Sequence, residues 1–149
     1  MSGDPRYHAQ GYVVRHGVVP DELIDACVEV YERDVLAYEQ PLRRQNTYRE
    51  RHEFDANGAL TNALLNPRGL KAPLDHAARA IRAIIDFRAL HDALGEATGF
   101  AHHSLMQTMI FEQSTTPPHK DRVYLDSRSA GHLVAECLAT RDSMRLEAQ

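Results

Sequence analysis

The chain has 149 residues, of which 43% are hydrophobic and 26% are charged, and its formal net charge is -4. This composition is typical of one globular domain, and no apolar run approaches the roughly 18 residues that a membrane span needs. The pI near 6.1 and the shortness of the basic runs disfavour nucleic acid as a partner. We therefore expect a single domain, residues 1–149, with neither a membrane nor a nucleic-acid partner.

Cysteine use and the N-terminus bear on the compartment. Cys27 and Cys137 form no CxxC pair, which argues against a disulfide scaffold and against a zinc ribbon. The first residues, "MSGDPRYHAQ", lack the charged and then apolar layout of a signal peptide. Reduced thiols and a cytoplasmic location are the resulting expectations.

The first predicted elements are a short strand and a helix. The apolar run Tyr12–Val14 predicts the strand, and Gly17 allows a turn after it. Pro20 and the acidic residues that follow it suit a first helical turn, and Pro41 ends the helix. Apolar positions repeat at helical spacing and predict a core-facing stripe of Leu23, Ile24, Cys27, Val28, Tyr31 and Val35.

The middle of the chain divides into an irregular segment and two helices. Residues 42–68 show no clear period, which predicts an irregular or partly helical surface segment, either a solvated connection or a substrate-facing lid. From Pro73 to Gly95 apolar residues keep helical spacing with a break near Phe87. This pattern predicts two consecutive helices, the second capped by Gly95.

The pattern changes to that of strands after Gly99. In "SLMQTMIFEQ", Gln107 and Met109 belong to one alternating set, so they share one face of a predicted strand. The runs "RVYLD" and "GHLVAECLA" supply two more strand candidates. The helical part, about residues 20–95, thus precedes a strand part, about residues 104–140, which is the order of an α+β fold.

The stretch "PPHKDRVYLD" carries the candidate metal ligands. Two prolines disfavour a helix, so His119 and Asp121 are expected on a strand, pointing the same way, with Lys120 on the opposite side. Two histidines and one carboxylate make the facial triad of non-haem iron oxygenases. On the spacing alone, a surface histidine and aspartate at the start of a strand are the commoner explanation.

The order of several segments resembles a known family. "PDELIDACVEVYER" after "GYVVRHGVV", then "LHDALGEATG", "SLMQTMIF" and "PPHKDRVYLDSRSAGHLVA", are similar in that order to the first half of the phytanoyl-CoA dioxygenase family of Fe(II)/2-oxoglutarate-dependent oxygenases. The resemblance implies helices packed on part of a double-stranded β-helix, a cupin-like jelly roll. It places His119 and Asp121 on the first histidine and the carboxylate of the iron triad. It also places Met109 on a position that contacts 2-oxoglutarate in some members, and Gln107 on a polar position that lines the same cavity.

The chain departs from the family pattern after Asp121. The family has a third iron-binding histidine well downstream, followed by an arginine that binds 2-oxoglutarate. Here His132 is the one histidine in the last 28 residues, and it stands within the next strand candidate. The jelly roll therefore looks incomplete, and three explanations stay open: a fragment, a decayed copy, or a chain completed by a partner.

Two functions from different classes follow from these expectations. The first is a dioxygenase that uses Fe(II) and 2-oxoglutarate to hydroxylate a small-molecule or acyl-type substrate. The second is a non-catalytic remnant of the same fold that acts as an interaction or oligomerisation module. Half of a jelly roll would leave unpaired strand edges, so either function predicts a homodimer or a complementing chain.

Overall fold

The computed structural model describes residues 3–101 and 108–110, and this part of the chain combines helices with short strands. The α-helices are α1 (Pro5–Gln10), α2 (Asp21–Val30), α3 (Asp75–Ile85) and α4 (Arg88–Thr98). The strands are β1 (Leu42–Arg43), β2 (Arg49–Glu50), β3 (Leu64–Leu65) and β4 (Met109–Ile110). A jelly roll stays a prediction, because most residues of the predicted strand part lie outside the described ranges.

The helix predicted after Pro20 is confirmed, but its end differs. Pro20 occupies the N-cap in an extended conformation, and acidic side chains fill the first turn, where they meet the positive end of the helix dipole. After Val30 the backbone widens into one π-helical turn, Tyr31–Val35, instead of continuing to Pro41. The apolar stripe packs against α3, and Val35 is buried with 1% of its surface exposed.

Cys27 belongs to this stripe and is half-buried. It is a free thiol, in agreement with the expectation for this residue, and burial raises its pKa. The other cysteine, Cys137, lies outside the described residues.

The two helices predicted from residue 73 to residue 95 are confirmed, including the break near Phe87. Phe87 is the extended N-cap of α4, and α3 buries Ala77, Ala78, Ile81 and Ile84. The predicted cap at Gly95 is wrong, because α4 continues to Thr98. Gly99 ends the helix with φ of 79°, a left-handed conformation that glycine adopts without steric cost, and its N–H donates to the Gly95 carbonyl.

The predicted strand Tyr12–Val14 is wrong: these residues pair with no strand in the described part of the chain. Tyr12 and Val14 are instead exposed, and the segment is held by the neighbouring Arg15, whose guanidinium donates to the Asp4 carboxylate. The Asp4 backbone N–H donates in turn to the carbonyl of Ala97 near the end of α4. A terminal carbonyl of α4 is thus satisfied by the N-terminal segment.

The prediction for residues 42–68 is confirmed in that most of the segment is irregular, but the segment is more than a surface connection, because several of its residues are buried. Strands β1 and β2 form an antiparallel hairpin with Leu42 opposite Glu50 and Arg43 opposite Arg49. On β3, Leu64 forms a bridge with Arg44 on one side and pairs with Ile110 of β4 on the other. These strands are only two residues long, too short for the alternation by which strands are recognised.

The same segment supplies much of the core. The buried cluster comprises Val35, Leu42, Leu60, Leu64, Leu74 and Ala77. The core therefore lies where the hairpin and β3 meet the π-helical turn and the start of α3. Within the described residues, no helix has the length and apolar character that crossing a membrane would require.

Candidate functional site

Strand β4 carries the one predicted site residue that the structure describes, Met109. Met109 pairs with Leu65, while its neighbour Ile110 pairs with Leu64 and packs against the core cluster. Adjacent residues of a strand point to opposite faces, so the Met109 side chain lies on the face opposite Ile110, beside its buried cross-strand partner Leu65. With 38% of its surface exposed, Met109 is available for contact with something outside the described core.

Asn66 holds β4 in register. Its backbone N–H donates to the Thr108 carbonyl at 2.7 Å, and its side-chain oxygen accepts from the Thr108 N–H at 3.0 Å. Asn66 adopts a left-handed conformation with φ of 50°, which asparagine tolerates better than most residues. These two bonds fix the strand just before Met109, so the direction of the methionine is set by backbone contacts.

The other predicted site residues, Gln107, His119 and Asp121, lie outside the described residues, as do Lys120 and His132. Their roles therefore stay predictions. Among residues 3–101 and 108–110, no group of three histidine, cysteine, aspartate or glutamate side chains could hold a metal ion. This statement does not cover the predicted iron ligands His119 and Asp121, which lie outside those residues.

A buried arginine, which no pattern in the sequence marks as a site residue, lies between the hairpin and β3. Arg44 has 1% of its surface exposed. Its Nε donates to the Glu50 carbonyl at 3.2 Å, and its Nη1 donates to the Asn62 carbonyl at 3.1 Å. Its Nη2 lies 3.2 Å from Nδ1 of His52. One guanidinium therefore joins both strands of the hairpin to the segment before β3.

His52 extends this network to the π-helical turn. Its Nε2 lies 2.8 Å from the Val35 carbonyl, while its Nδ1 faces Arg44. A carbonyl only accepts and a guanidinium only donates, so in these two bonds Nε2 carries the proton and Nδ1 accepts. Burial lowers the pKa of Arg44, while the charge of Glu50 acts in the opposite direction. We interpret the network as structural, because its bonds join segments of the core.

A cleft of about 350 Å³ opens beside this network. Its lining comprises Arg44, Gln45, Asn46, Thr61, Asn62 and Ala63. Asn46 donates to the Glu50 carboxylate and accepts from the Tyr48 N–H, while Asn62 donates to the Arg51 carbonyl and accepts from the Glu53 N–H. Since these amides already form hydrogen bonds within the turns around them, we interpret the cleft as a space between two packed loops and not as a binding site.

A further charged cluster joins the π-helical turn to α3. Oδ2 of Asp34 lies 2.6 Å from Nη2 of Arg33 and 2.8 Å from Nε2 of His76. The hydrogen bonds from Arg33 and then His76 lower the pKa of Asp34 to about 2. Because Arg33 is adjacent in the chain, the contact with His76 is the one that links two elements.

Acid should weaken the fold through this carboxylate. The Asp34 pKa of about 2 in the folded chain lies below its ordinary 3.8, so the ionised form contributes stability that is fully present above pH 3.8. That contribution is lost as pH falls towards about 2. We expect the Tm of wild type to fall more steeply over this window than that of Asp34→Asn, as measured by circular dichroism melts.

Asp4 provides an internal check on this prediction. Hydrogen bonds from Arg6 lower its pKa to about 2 as well. The Tm of the double variant Asp4→Asn/Asp34→Asn should therefore fall less with decreasing pH than the Tm of either single variant. If the Tm of wild type and of all three variants fell equally with decreasing pH, the proposed contribution of these two carboxylates to stability would be contradicted.

The described part of the candidate site is thus the face of β4 that carries Met109, positioned by Asn66 and by pairing with β3. The Arg44 network supports the same strand arrangement from the other side of Leu64. Comparison of the chain with protein-family models, with curated proteins and with solved structures gave no match.

Proposed function

We propose that the chain is an Fe(II)/2-oxoglutarate-dependent dioxygenase-like protein whose substrate is a small molecule or an acyl-type compound. The observation that supports this function best is the position of Met109, which is 38% exposed on the face of β4 opposite Ile110 and beside the buried Leu65. A methionine there suits the wall of a pocket, since its thioether is apolar and adaptable. The helices after Pro20 and before Gly99 agree with the element order that the resemblance implies.

The predicted donor set fits iron. An imidazole from His119 and a carboxylate from Asp121 are the ligand types of the facial triad, and they suit Fe(II) better than a thiolate-seeking ion. Iron, when bound, would supply the activation of dioxygen that hydroxylation of a C–H bond requires. The chain would contribute the two metal ligands, the apolar contact of Met109 and the amide of Gln107, which has hydrogen bonds to offer a carboxylate.

The first experiment is an anaerobic titration with Fe(II) and 2-oxoglutarate. We expect the weak visible charge-transfer band of the iron chelate in wild type and its loss in Asp121→Ala, because that substitution removes a metal ligand. Lys120→Ala is the matched control, since Lys120 is predicted to point away from the metal. It should retain the band at the wild-type amplitude.

Met109 tests the described part of the proposal in the same assay. Met109→Ala should weaken 2-oxoglutarate binding by roughly fivefold, the equivalent of about 1 kcal/mol of lost apolar contact. Met109→Leu, which keeps an apolar side chain of similar volume, should restore most of the affinity. A wild-type spectrum that does not change on titration and equals that of Asp121→Ala would reject the dioxygenase and favour the non-catalytic module.

A further inference from the structure

The outer side of the β1–β2 hairpin presents three arginines. Arg43 and Arg49 are cross-strand partners, so their side chains lie on one face, and Arg51 follows Arg49 by two residues. All three are exposed, whereas Leu42 and Arg44, on the alternate positions, are buried. We call the surface of Arg43, Arg49 and Arg51 the arginine face.

The arginine face carries positive charge that its surroundings leave uncompensated. Within residues 3–101 and 108–110, none of its three side chains takes part in an ion pair or a side-chain hydrogen bond. Other exposed arginines of the same region, such as Arg6 and Arg88, each pair with a carboxylate. Like charges directly opposite each other destabilise a hairpin, so this arrangement has a cost in the isolated chain.

A surface of opposite charge lies on α2. Glu22, Asp25 and Glu29 are exposed and follow each other at intervals of three and four residues, so they form one stripe along the helix. This stripe, the acidic face, lies on the side of α2 opposite the apolar residues that pack on α3. Glu29 forms an exposed pair with Arg33, a type of contact that contributes little and is readily exchanged.

The two faces also match in size. From Glu22 to Glu29 the acidic face extends over about 10 Å at the helical rise of each residue. From Arg49 to Arg51, which follows the end of β2, the arginine face extends over at most about 7 Å, and Arg43 widens it by about 5 Å across the hairpin. The arginine side chains can therefore reach Glu22 and Glu29 at the two ends of the acidic face, and a guanidinium group can bind a carboxylate through two parallel hydrogen bonds.

We propose that a second copy of the chain binds the arginine face through the acidic face of its α2 helix. The complementary charge is present on the same sequence, which favours a second copy over a foreign partner. Nucleic acid is a poorer occupant, since three arginines on a chain of net charge -4 release few counter-ions. Because both faces are exposed and polar, the association is expected to be weak and sensitive to salt.

Sedimentation velocity over a range of protein concentrations tests the proposal. At about 0.05 M salt the average mass of wild type should rise with concentration. At about 0.5 M salt, where the screening length is roughly 4 Å, it should return towards that of one chain. The reversals Arg43→Glu/Arg49→Glu and Glu22→Arg/Glu29→Arg should each raise the dissociation constant by about tenfold or more, since each places like charges in contact.

Mixing the two reversed variants gives the sharpest result. The arginine reversal leaves two negative faces on one variant, and the glutamate reversal leaves two positive faces on the other. An equimolar mixture should therefore associate although neither variant does so alone. The quadruple variant, in which both faces are reversed, should also self-associate. The control Arg79→Glu/Arg88→Glu on α3 and α4 makes the same change in net charge as Arg43→Glu/Arg49→Glu and should behave as wild type, apart from a small effect of net repulsion. Circular dichroism verifies that every variant is folded.

Three outcomes would overturn the proposal. The first is a wild-type chain that sediments as one copy at every concentration at low salt. The second is self-association that neither reversal weakens relative to the control pair. The third is a mixture of the reversed variants that fails to associate, which would show that the two faces do not touch.

Discussion

Arg44→Ala is expected to lower the free energy of unfolding by about 3 kcal/mol, the largest loss from a single polar side chain in the described part of the molecule. Arg44 is 1% exposed, and truncating it leaves the carbonyls of Glu50 and Asn62 and Nδ1 of His52 without their donor. Buried acceptors without partners cost roughly 1–3 kcal/mol each when water cannot reach them. Urea unfolding, with the slope compared between variants, measures the change.

Two neighbouring substitutions make this result specific. Arg43→Ala removes the same side chain one residue earlier, where it is exposed, and should change stability by no more than about 0.5 kcal/mol. Arg44→Lys keeps the charge but has no planar fork to serve three separate acceptors, so it should recover only a small part of the loss. Equal unfolding midpoints for Arg43→Ala and Arg44→Ala would show that the network does not support the fold.

Leu64→Ala is expected to destabilise the chain by about 3 kcal/mol through the loss of buried apolar contacts and the cavity left behind. Leu64 is 1% exposed and belongs to the core cluster. It is also the residue of β3 that forms a bridge with Arg44 and pairs with Ile110, so it stands where three strands meet. Thermal and urea unfolding should agree on the size of the loss.

A second readout separates a local from a global effect of Leu64→Ala. If the side chain holds β3 against the core, faster hydrogen exchange should appear at the amides of Leu65 and Asn66 under native conditions. Leu23→Ala, a half-buried leucine of α2, is the matched control and should cost only about 1 kcal/mol. If Leu64→Ala lowered the free energy of unfolding no more than Leu23→Ala does, Leu64 would not be a central residue of the core.

The helices were predicted well because their signals are local. In α2, α3 and α4, apolar residues recur at the helical period, and the break at Phe87 is marked by the interruption of that period. The end of α4 was predicted wrongly, because the glycine at position 95 predicted a cap there. The helix continues past Gly95, and Ala97 and Thr98 are buried in its last turn, a gain that only the folded chain makes visible.

The strands and the Arg44 network could not be predicted in this way. A two-residue strand carries no period, and a segment with the arginines 43, 44, 49 and 51 looks solvated when it is read without its partners. Pairing across the chain buries Arg44 and leaves Arg43 outside, although the two residues are chemically identical and adjacent. Strand register, and not residue type, thus determines which of the two arginines is buried.

The alternation of the sequence alone predicts that Gln107 and Met109 share a face of one strand, and it is the sequence alone that places Met109 and Ile110 on opposite faces. Which residue of β4 meets the core cluster was decided by tertiary pairing, since pairing with Leu64 and Leu65 places Ile110 against that cluster and leaves Met109 38% exposed. The physical reason for this difference is that helical periodicity depends only on residues a few positions apart in the chain. Strand pairing and the burial of a charge depend on residues that come together only when the chain folds.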